Sequence, residues 1–533
     1  LAFKTFDLAQ LQLVREALLE RGHWLAQAPF LAHRRGRPGA VLDAGGIGGG
    51  TSCRSTKRLH GGVRYLELAF KTFDLAQLQL VREALLERGH WLEQAPFLAH
   101  RLELMLPTDT LWGQLYYQAG LGLYDLLAGQ QRIGRSRGIS RDALQESLPM
   151  LKPGRGGVAY SDGQFDDARL NLLLASTAEQ GGASLRTRCR VVGFERSANG
   201  RLSAAISETD TGVQERWAAG VIVNATGIQA DSIRQLADPQ AAPRMLTSRG
   251  CHLVLEQNLC PGGLGLLVPS TADGRVLFML PFHGRTLVGT TDAPCAIDAA
   301  TTPTNEEEAY LLGYVRQWFP AVSDPTVTSR WAGGRPLLRP AGDSLNSSRV
   351  VREHEVEQLP CGLVSVMGGK WTTCRPMADD TLQAVAAQLG RPLGAPQQLN
   401  LLGSADTPSE TRQLLMEQAG QLKDLLPDGP LRDQQITHLQ SNHGLQALPM
   451  ISRVDPTLRQ PLSSVIPLCQ GEIDHAIQRE HSRSASDVLS RRCRLAMVDL
   501  AEARRLQPLV EERLDQLTGT AVSTSPINHQ LMP

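Results

Sequence analysis

Glycine and small hydrogen-bonding residues are concentrated between residues 44 and 65 of the chain. The segment begins with AGGIGGG, in which five of the six residues 45–50 are glycine, and continues as TSCRSTKRLHGGVRY. Glycine lets a backbone turn through positive φ and pass close to a ligand. Glycines alone would fit a flexible loop equally well, but the hydroxyl, lysine and arginine donors that follow favour a site for a polar, anionic cofactor.

A carboxylate directly precedes this segment. Asp43 follows the apolar pair Val41 and Leu42, so it would stand at the end of a short buried strand. In dinucleotide-binding folds, an acid at the end of the second strand holds a ribose hydroxyl. An aspartate after a strand is usually a turn residue, and the donors that follow Asp43 favour the ribose-binding interpretation.

The elements around this segment have an α/β pattern from residue 35 to about 400. The β-branched runs at 220–227 and 363–369 each end in glycine, as buried strands of a doubly wound sheet do. Between them, residues 244–335 form short apolar runs separated by Gly, Pro and Asp, which is typical of an antiparallel sheet. We therefore predict a Rossmann-like domain with an inserted antiparallel-sheet substrate domain.

A C-terminal all-helical domain is predicted over 401–520. It follows a breaker-rich linker at about 391–409. Ser484 and Asp487 have the spacing of a capping box before an apolar stripe of helical period. The arginines of this region fit a solvated helix face better than a lipid or nucleic-acid site; they are Arg491, Arg492, Arg494, Arg504 and Arg505.

The first 34 residues repeat residues 68–101 with one change, Ala26 against Glu93. Two nearly identical copies do not make a solenoid, whose repeats diverge and number at least about three. In the interior copy, Leu78, Val81 and Leu85 share one helix face. We predict that the interior copy is an amphipathic helix and that residues 1–34 are an aberrant helical duplicate without a packing site.

Composition excludes several classes of protein. Lys plus Arg and Asp plus Glu both number 54, so no overall field attracts nucleic acid. Nine scattered cysteines without a CxxC pair suggest a reducing cytosol. The absence of a long apolar run or a signal peptide predicts a soluble or peripheral protein, and the initial Leu suggests that the natural start is missing.

Motifs along the chain resemble those of the FAD-dependent, quinone-linked glycerol-3-phosphate dehydrogenases. The resemblance covers residues from about 40 to 515 and rests on seven co-linear stretches. They are TSCRSTKRLHGGVRYLE from 51, YSDGQFDDARLNLLLASTAEQGGA from 160, VNATGIQADSIR from 223, RGCHLVLE from 249, MLPFHGRTLVGTTD from 279, WAGGRPLLRP from 331 and MGGKWTTCRPMADD from 367.

The resemblance implies a D-amino-acid-oxidase-like fold with FAD as its cofactor. It implies that sn-glycerol 3-phosphate is oxidised to dihydroxyacetone phosphate, with hydride transfer to FAD and electrons passed to a quinone. Some relatives pass the electrons to oxygen instead, and the sequence leaves both acceptors open. A cytoplasmic location with peripheral contact to the inner face of the cytoplasmic membrane follows from the same resemblance. The lack of an EF-hand calcium loop after the helical domain favours a bacterial-type enzyme.

Carried onto matching positions, the motifs make His252 the candidate general base, because an imidazole titrates near neutrality. Without the family, a histidine in an apolar alternation is more often a core residue. Arg335 is the second catalytic candidate, since arginine stays charged and donates bidentately. The implied substrate-binding residues are Arg64, Tyr65, Arg352 and Lys370. The implied cofactor-binding residues are Asp43, Thr51, Ser52, Ser55, Lys57, His60, Gly61, Gly62, Val191, Ala225, Gly227, Gly368, Gly369, Thr372 and Thr373.

The last of these positions open a predicted helix. Gly368 and Gly369 precede it, and Thr372 or Thr373 has the side chain to cap it. A helix N-terminus carries partial positive charge, which would favour electron density at the carbonyl edge of the flavin.

Two positions depart from the family pattern. The usual GPW after the VNAT strand is GIQ at 227–229. The GxGxxG fingerprint, which places the FAD pyrophosphate at a helix N-terminus, is absent, and the duplicated segment stands in its place. Loss of those donors would weaken FAD binding by roughly several kcal/mol.

Alternatives to a working dehydrogenase stay open. One is an inactive or FAD-deficient remnant of the enzyme, because the dinucleotide-binding N-terminus is replaced. Another is a related FAD-dependent amino-acid oxidase, although an arginine-rich signature favours a phosphate over a zwitterion. A non-enzymatic helical interaction protein would leave the central motifs unused.

Overall fold

The computed structural model describes residues 16–19, 39–62, 75–339, 354–392 and 399–519. Its strands are β1 (Glu16–Leu19), β2 (Gly39–Leu42), β3 (Arg58–Leu59), β4 (Ala99–Thr108), β5 (Arg137–Ser140), β6 (Gly156–Phe165), β7 (Ser184–Arg186), β8 (Cys189–Arg196), β9 (Leu202–Thr209), β10 (Gln214–Ala218), β11 (Ile222–Asn224), β12 (Met245–Leu255), β13 (Leu264–Val268), β14 (Leu277–Phe282), β15 (Arg285–Gly289), β16 (Ala293–Pro294), β17 (Val327–Leu338), β18 (His354–Gln358) and β19 (Leu363–Gly368). Its α-helices are α1 (Leu75–Gln94), α2 (Leu111–Leu127), α3 (Arg141–Ser147), α4 (Asp167–Gln180), α5 (Ala230–Ala237), α6 (Asn305–Trp318), α7 (Cys374–Leu389), α8 (Pro408–Leu425), α9 (Arg432–His443), α10 (Ala447–Ser452), α11 (Gln470–Arg479), α12 (Leu495–Val498) and α13 (Leu500–Thr518).

The first sheet has six strands in the order β18-β19-β11-β1-β2-β7. Strands β19 to β7 pair in parallel, and β18 joins antiparallel. Apolar residues alternate between its two covered faces: Val41 and Val223 pack with α4 and α7, whereas Leu42 and Ile222 pack with α5 and the three-stranded sheet β10-β9-β8. Covering on both faces makes such strands apolar runs, and the predicted doubly wound domain is confirmed.

Strand β1 corrects the prediction that residues 1–34 are helical. Its Leu18 lies opposite Val41 of β2 and Val223 of β11. The same four residues recur at 83–86 within α1. Tertiary context decides between the two conformations, because β2 and β11 each present backbone groups that must be paired. The other residues of the first copy lie outside the described ranges.

The second sheet has ten strands and is larger than the predicted 244–335 subdomain. Eight strands follow the order β16-β12-β15-β14-β13-β4-β6-β3, while β17 pairs with β12 and β5 with β6. Strands β3 to β6 precede residue 166 in the chain, and β4 joins the later strands through parallel pairing of Met105 with Leu266. The antiparallel sheet is therefore assembled from two separate stretches of chain.

Within the interior copy of the repeat, Leu75–Gln94 is a helix, as predicted. In α1, Val81 and Leu85 are buried against Tyr124 and Ala128, and Leu78 is partly buried beside them. The helix is therefore held by α2 and the loop after it.

The C-terminal region is helical and packs against the second sheet. Leu104 and Val158 of that sheet share a core with Ile473, Leu489 and Val498. A π-helical turn, Asp487–Arg492, precedes α12. Within the described ranges, no helix combines the length and apolar character that crossing a membrane requires.

The predicted solvated face for the C-terminal arginines is wrong for two of them. Arg492 and Arg494 are buried. Arg492 donates to the carbonyls of Glu480 and Ile47. Each arginine also reaches a backbone carbonyl of the N-terminal half, Ile47 for Arg492 and Cys53 for Arg494, which the helical pattern alone does not show.

Candidate active site

His252 lies in β12, between β15 and β17. Its ring stacks on Trp331 with centroids 4.2 Å apart, and its Nε2 atom lies 2.9 Å from the Thr56 hydroxyl oxygen. Gly289 stands opposite in β15, and a Cβ atom there would lie 2.3 Å from His252 Cδ2. An aromatic face, a hydroxyl and a side-chain-free position therefore fix the imidazole in one orientation.

The pKa of His252 lies well below its ordinary value. Burial is the largest cause, followed by the positive charges of Lys57 and Arg335. The structure thereby corrects the expectation of titration near neutrality, because a buried site beside two cations disfavours a third positive charge. At pH 7 the imidazole is neutral and able to accept a proton.

Arg335 crosses the face of β12 beside this histidine. Its guanidinium donates to the Thr290 hydroxyl at 3.0 Å and to the Thr291 carbonyl at 2.8 Å. A Cβ atom at Gly250 would lie 2.5 Å from Arg335 Nη2. Glycine at that position therefore makes the room that the arginine occupies.

A buried carboxylate fixes the loop that carries Thr56. Asp167 Oδ2 accepts hydrogen bonds from the Ser55 N–H at 3.0 Å, the Ser55 hydroxyl at 2.7 Å and the Lys57 ammonium at 2.9 Å. Lys57 also donates to the carbonyls of Cys53 and Ser55. Burial lowers the pKa of Lys57 to about 8. Ser55 and Lys57, expected at the cofactor, thus bind protein groups and hold the loop.

Residues 51–52 join the two sheets. The Thr51 hydroxyl donates to the Gly334 carbonyl at 2.7 Å, and the Trp371 indole donates to the Ser52 carbonyl at 3.0 Å. The Ser52 hydroxyl is buried and makes no hydrogen bond to any residue in the described part of the chain. Buried hydroxyls are normally paired, so this one fits a polar bound molecule.

Asp43 lies at the carboxyl end of β2. It is buried, and its Oδ1 atom accepts a hydrogen bond from the Gly45 N–H at 2.8 Å. It thus fixes the start of the glycine segment, as a turn residue does, at the sheet edge where nucleotides bind. Val191 on β8 and Ala225 after β11 are also buried.

Positive φ angles occur at three of the expected cofactor glycines near the ends of the parallel strands. The angles are 58° at Gly227, 77° at Gly368 and 78° at Gly369, a region that glycine enters without strain. The backbone therefore turns sharply where β11 and β19 end, which leaves it free of side chains at the expected cofactor edge.

The predicted cap of α7 is wrong in detail. Thr373 is the residue before the helix, but its side chain does not cap the helix N–H groups; its hydroxyl donates to the Lys370 carbonyl at 3.4 Å. The reason is a 3-10 turn over Trp371–Thr373 that runs directly into the helix. Thr372 accepts from the His60 N–H at 3.2 Å instead.

Gly61 is required for packing. Its N–H donates to the Tyr124 hydroxyl at 2.7 Å, and a Cβ atom there would lie 2.6 Å from Leu85 Cγ. Gly62 has φ of 85°. The glycine pair thus lets the chain turn while pressed against α1 and α2.

The structure brings His252, Arg335 and the 51–57 loop together, and Trp371 connects this group to the Gly368–Gly369 turn. Asp43 stands at the other end of the glycine segment. The substrate-binding candidates Arg64, Tyr65 and Arg352 lie outside the described residues, whereas Lys370 is half-buried beside Trp371.

Sequence reasoning missed the roles of several residues of the site. Asp167 and Trp331 were not predicted, Thr56 was predicted only as one of several donors near a cofactor, and Arg494 was assigned to a solvated helix face. Three of them lie within the quoted motifs that begin at 51, 160 and 331, so a motif position was the available signal. Their pairing across the chain requires the fold.

FAD fits this arrangement. The glycine segment, the carboxylate of Asp43, the unpaired Ser52 hydroxyl and the sharp turns at Gly227 and Gly368 lie at the carboxyl ends of the parallel strands, where dinucleotides bind. These groups would hold the ribose and polar portions of the cofactor, and FAD would supply a hydride acceptor.

Comparison with known proteins agrees with this fit. Residues 25–383 match the family described as FAD dependent oxidoreductase, and residues 395–521 match the C-terminal domain of alpha-glycerophosphate oxidase. The mitochondrial glycerol-3-phosphate dehydrogenase of Arabidopsis thaliana is 37% identical over 498 residues, which cover 90% of this chain and 78% of that protein. The human mitochondrial glycerol-3-phosphate dehydrogenase is 34% identical over 497 residues, which cover 90% of this chain and 67% of that protein.

Among solved structures, the glycerol-3-phosphate dehydrogenase of Bacillus halodurans complexed with FAD has the same fold, with a TM-score of 0.74 at 23% identity over 96% of this chain and 91% of that chain. The two-sheet fold and the matched family define an FAD-dependent oxidoreductase. Within that class, the chain belongs to the family of FAD-dependent glycerol-3-phosphate dehydrogenases.

Proposed function

We propose that the chain oxidises sn-glycerol 3-phosphate to dihydroxyacetone phosphate. The reaction removes a proton from the C2 hydroxyl and a hydride from C2. Since FAD accepts hydride, the protein must accept the proton and balance the phosphate charge. The observation that carries the proposal is His252, which is neutral, buried and held beside the fixed cations Lys57 and Arg335.

His252 accepts the proton at Nε2 in this scheme. Arg335 steadies negative charge on the reacting oxygen or the phosphate, because its guanidinium is held in place by Thr290 and Thr291 and stays charged. We assign Arg64, Tyr65, Arg352 and Lys370 to the substrate phosphate, in line with their motif positions. A bound dianion would offset the two cations that lower the pKa of His252.

The test is reduction of the cofactor by the substrate. The full chain, supplied with FAD and freed of oxygen, is expected to be yellow and to lose its flavin absorption band when sn-glycerol 3-phosphate is added. A dye acceptor should then be reduced at a steady rate. A yellow protein whose band persists with this substrate would contradict the proposal.

A second candidate is an FAD-deficient remnant of the enzyme. Residues 20–38, which follow β1, contain no GxGxxG, and this absence favours weak pyrophosphate binding. Titration of the purified chain with FAD, followed by gel filtration, separates the two candidates. A chain that stays colourless at saturating FAD would favour the remnant.

We propose a quinone as the electron acceptor and peripheral contact with a membrane, as in a bacterial-type enzyme. The supporting surface is the outer face of α2, where Trp112 is 81% and Leu126 is 72% exposed. Leu111, Leu115 and Tyr116 extend the same stripe. Large exposed apolar patches mark interaction surfaces.

Arginines flank this apolar face. Arg132, Arg135, Arg137 and Arg141 are exposed in the segment after α2. The Gln114 side chain donates to the Ile139 carbonyl at 3.0 Å, which places β5 beside the helix. Aromatic and aliphatic side chains beside arginines suit the interface of an anionic bilayer.

We expect Trp112→Gln combined with Leu126→Gln to weaken binding to anionic phospholipid vesicles roughly 10- to 100-fold, because two apolar side chains no longer enter the bilayer. Cosedimentation measures the binding. Turnover with a soluble dye should persist, whereas turnover with a vesicle-borne quinone analogue should fall. Met416→Gln, at an equally exposed position of α8, is the matched control. Unchanged sedimentation of the double variant would exclude this face.

A further inference from the structure

His252 is closed off from ligands by its own surroundings. Its side chain is 2% exposed, Trp331 covers one face of the ring, and Thr56 contacts Nε2. Thr56 itself is half-buried. Among the residues that the structure describes, the Thr56 hydroxyl is therefore the group that connects the base to the more open side of the site.

A hydroxyl is suited to this place because it donates and accepts at once. The Thr56 O–H can donate to the Nε2 lone pair while its oxygen accepts a hydrogen bond from a bound alcohol. The proton of the alcohol then moves to the Thr56 oxygen as the Thr56 proton moves to Nε2. Hydride leaves the carbon that bears the alcohol oxygen, with FAD as its acceptor, and a C=O bond forms. The two electrons of the broken C–H bond are thereby transferred to the cofactor.

The position of Thr56 is set from the C-terminal domain. Arg494, which is 1% exposed, donates from Nη2 to Asp167 Oδ1 at 2.9 Å and to the Cys53 carbonyl at 2.9 Å. Asp167 holds Ser55 and Lys57 through its other oxygen. Ser55 and Lys57, on either side of Thr56 in the chain, are thus anchored to one oxygen of the Asp167 carboxylate, and Arg494 binds the other oxygen.

The arrangement around Arg494 is costly in itself. Its backbone has φ of 69°, a left-handed conformation that is unfavourable for a side-chain-bearing residue, and a buried guanidinium is stable only when it is paired. Lys57 also has positive φ, at 60°. Strain at two residues that meet on Asp167 indicates that the surrounding fold determines the shape of this loop.

We propose that Thr56 relays the substrate proton to His252. We also propose that Arg494, through Asp167, is the positioning residue that keeps the Thr56 hydroxyl within hydrogen-bond distance of His252 Nε2. The inference rests on the proposed function of His252 as the base. It gives the C-terminal helical domain a part in the reaction, because that domain supplies Arg494.

The relay is tested with two substitutions at Thr56. Thr56→Val keeps the shape and removes the hydroxyl, and it is expected to lower kcat about 10- to 100-fold. Thr56→Ser keeps the hydroxyl and should restore most of that loss. In a His252→Ala background, Thr56→Val should cost little more, because residues that act as a unit are not additive. A normal kcat for Thr56→Val, or equal losses for Val and Ser, would overturn the relay.

The positioning is tested without substrate by amide hydrogen exchange of residues 51–59. Arg494→Lys keeps the charge but replaces a forked donor with a single ammonium. We expect faster exchange of the Ser55 amide, whose N–H donates to Asp167, and a kcat about tenfold lower with KM little changed, since small displacements of a reacting group are costly. If Arg494→Lys does not fold, Asp167→Asn replaces it.

Arg169→Lys is the matched control. Arg169 is a buried arginine of α4, the helix that also carries Asp167. It pairs with Glu480 of the C-terminal region at 2.9 Å, and its hydrogen-bond partners lie outside the 51–57 loop. We expect Arg169→Lys to leave the amide exchange rates of residues 51–59 unchanged. If Arg494→Lys and Arg169→Lys gave equal exchange rates for these residues, the positioning role of Arg494 would be overturned. Failure of the unaltered chain to reduce FAD with this substrate would contradict the proposed function and, with it, the relay. The positioning of the 51–57 loop by Arg494 would still be tested, since the exchange measurement needs no substrate.

Discussion

Replacing His252 with alanine is expected to lower kcat by about 10²- to 10⁴-fold, the usual contribution of a positioned general base. The structure supports an effect of this size because the ring is locked between Trp331 and Gly289 and is neutral at working pH. Stopped-flow reduction of the flavin by sn-glycerol 3-phosphate measures the step directly. FAD content should be unaltered, since His252 is assigned to the substrate rather than to the cofactor.

The control is His481→Ala. His481 lies in the C-terminal region, and its Nε2 atom is 2.9 Å from the Glu179 Oε2 atom of α4. Its flavin reduction should match that of the unaltered chain. A His252→Ala variant that reduces flavin at the original rate would remove this residue from the scheme and leave Arg335 and the phosphate-binding candidates to be tested next.

The lowered pKa of His252 also predicts a pH profile. In the free protein the imidazole stays neutral well below pH 6.5, so the acid limb of kcat/KM that reports the base should lie below that pH. The same shift affects stability: as pH falls below 6.5 the unfolded chain takes up the proton first, and the contribution of His252 to stability decreases. An acid limb centred near pH 6.5 or above that His252→Ala removes would contradict this environment.

The sequence predicted elements whose pattern is local. The apolar runs that end in glycine became β11 and β19, and the stripe of Leu78, Val81 and Leu85 became one face of α1. The sequence pattern predicted the wrong secondary structure where contacts with distant parts of the chain determine the conformation. Residues 16–19 are a strand and residues 83–86 a helix with identical letters, because only the first set lies between two strands that need a partner.

The same limit applies to the candidate site. Motif resemblance indicated His252 and Arg335, which the fold brings side by side. It assigned Ser55 and Lys57 to the cofactor, yet both are bound to Asp167, more than a hundred positions away in the chain. A donor-rich segment shows that hydrogen bonds will form but does not show with what. Buried arginines such as Arg494 are likewise indistinguishable from surface ones by helical spacing.

A second buried charge cluster predicts a large effect on stability. Asp162 of β6 is fully buried and pairs with Arg58 and Arg88. Its Oδ1 atom also accepts from the Tyr124 hydroxyl at 3.0 Å, and that tyrosine oxygen accepts from the Gly61 N–H. The cluster therefore ties α1 and α2 to the second sheet and to the Gly61 turn that follows β3.

Asp162→Ala is expected to lower the free energy of unfolding by about 3–5 kcal/mol, because it leaves two buried guanidinium groups without their carboxylate. Glu103→Ala is the matched control. Glu103 lies next to the position that pairs with Asp162 in β4 and also binds two arginines, Arg101 and Arg137, but at the surface. That substitution should cost about 0–1 kcal/mol. Urea unfolding of both variants, followed by fluorescence and circular dichroism, measures the difference. Equal midpoints would mean that Arg58 and Arg88 find other acceptors, and the cluster would then not be what holds α1 in place.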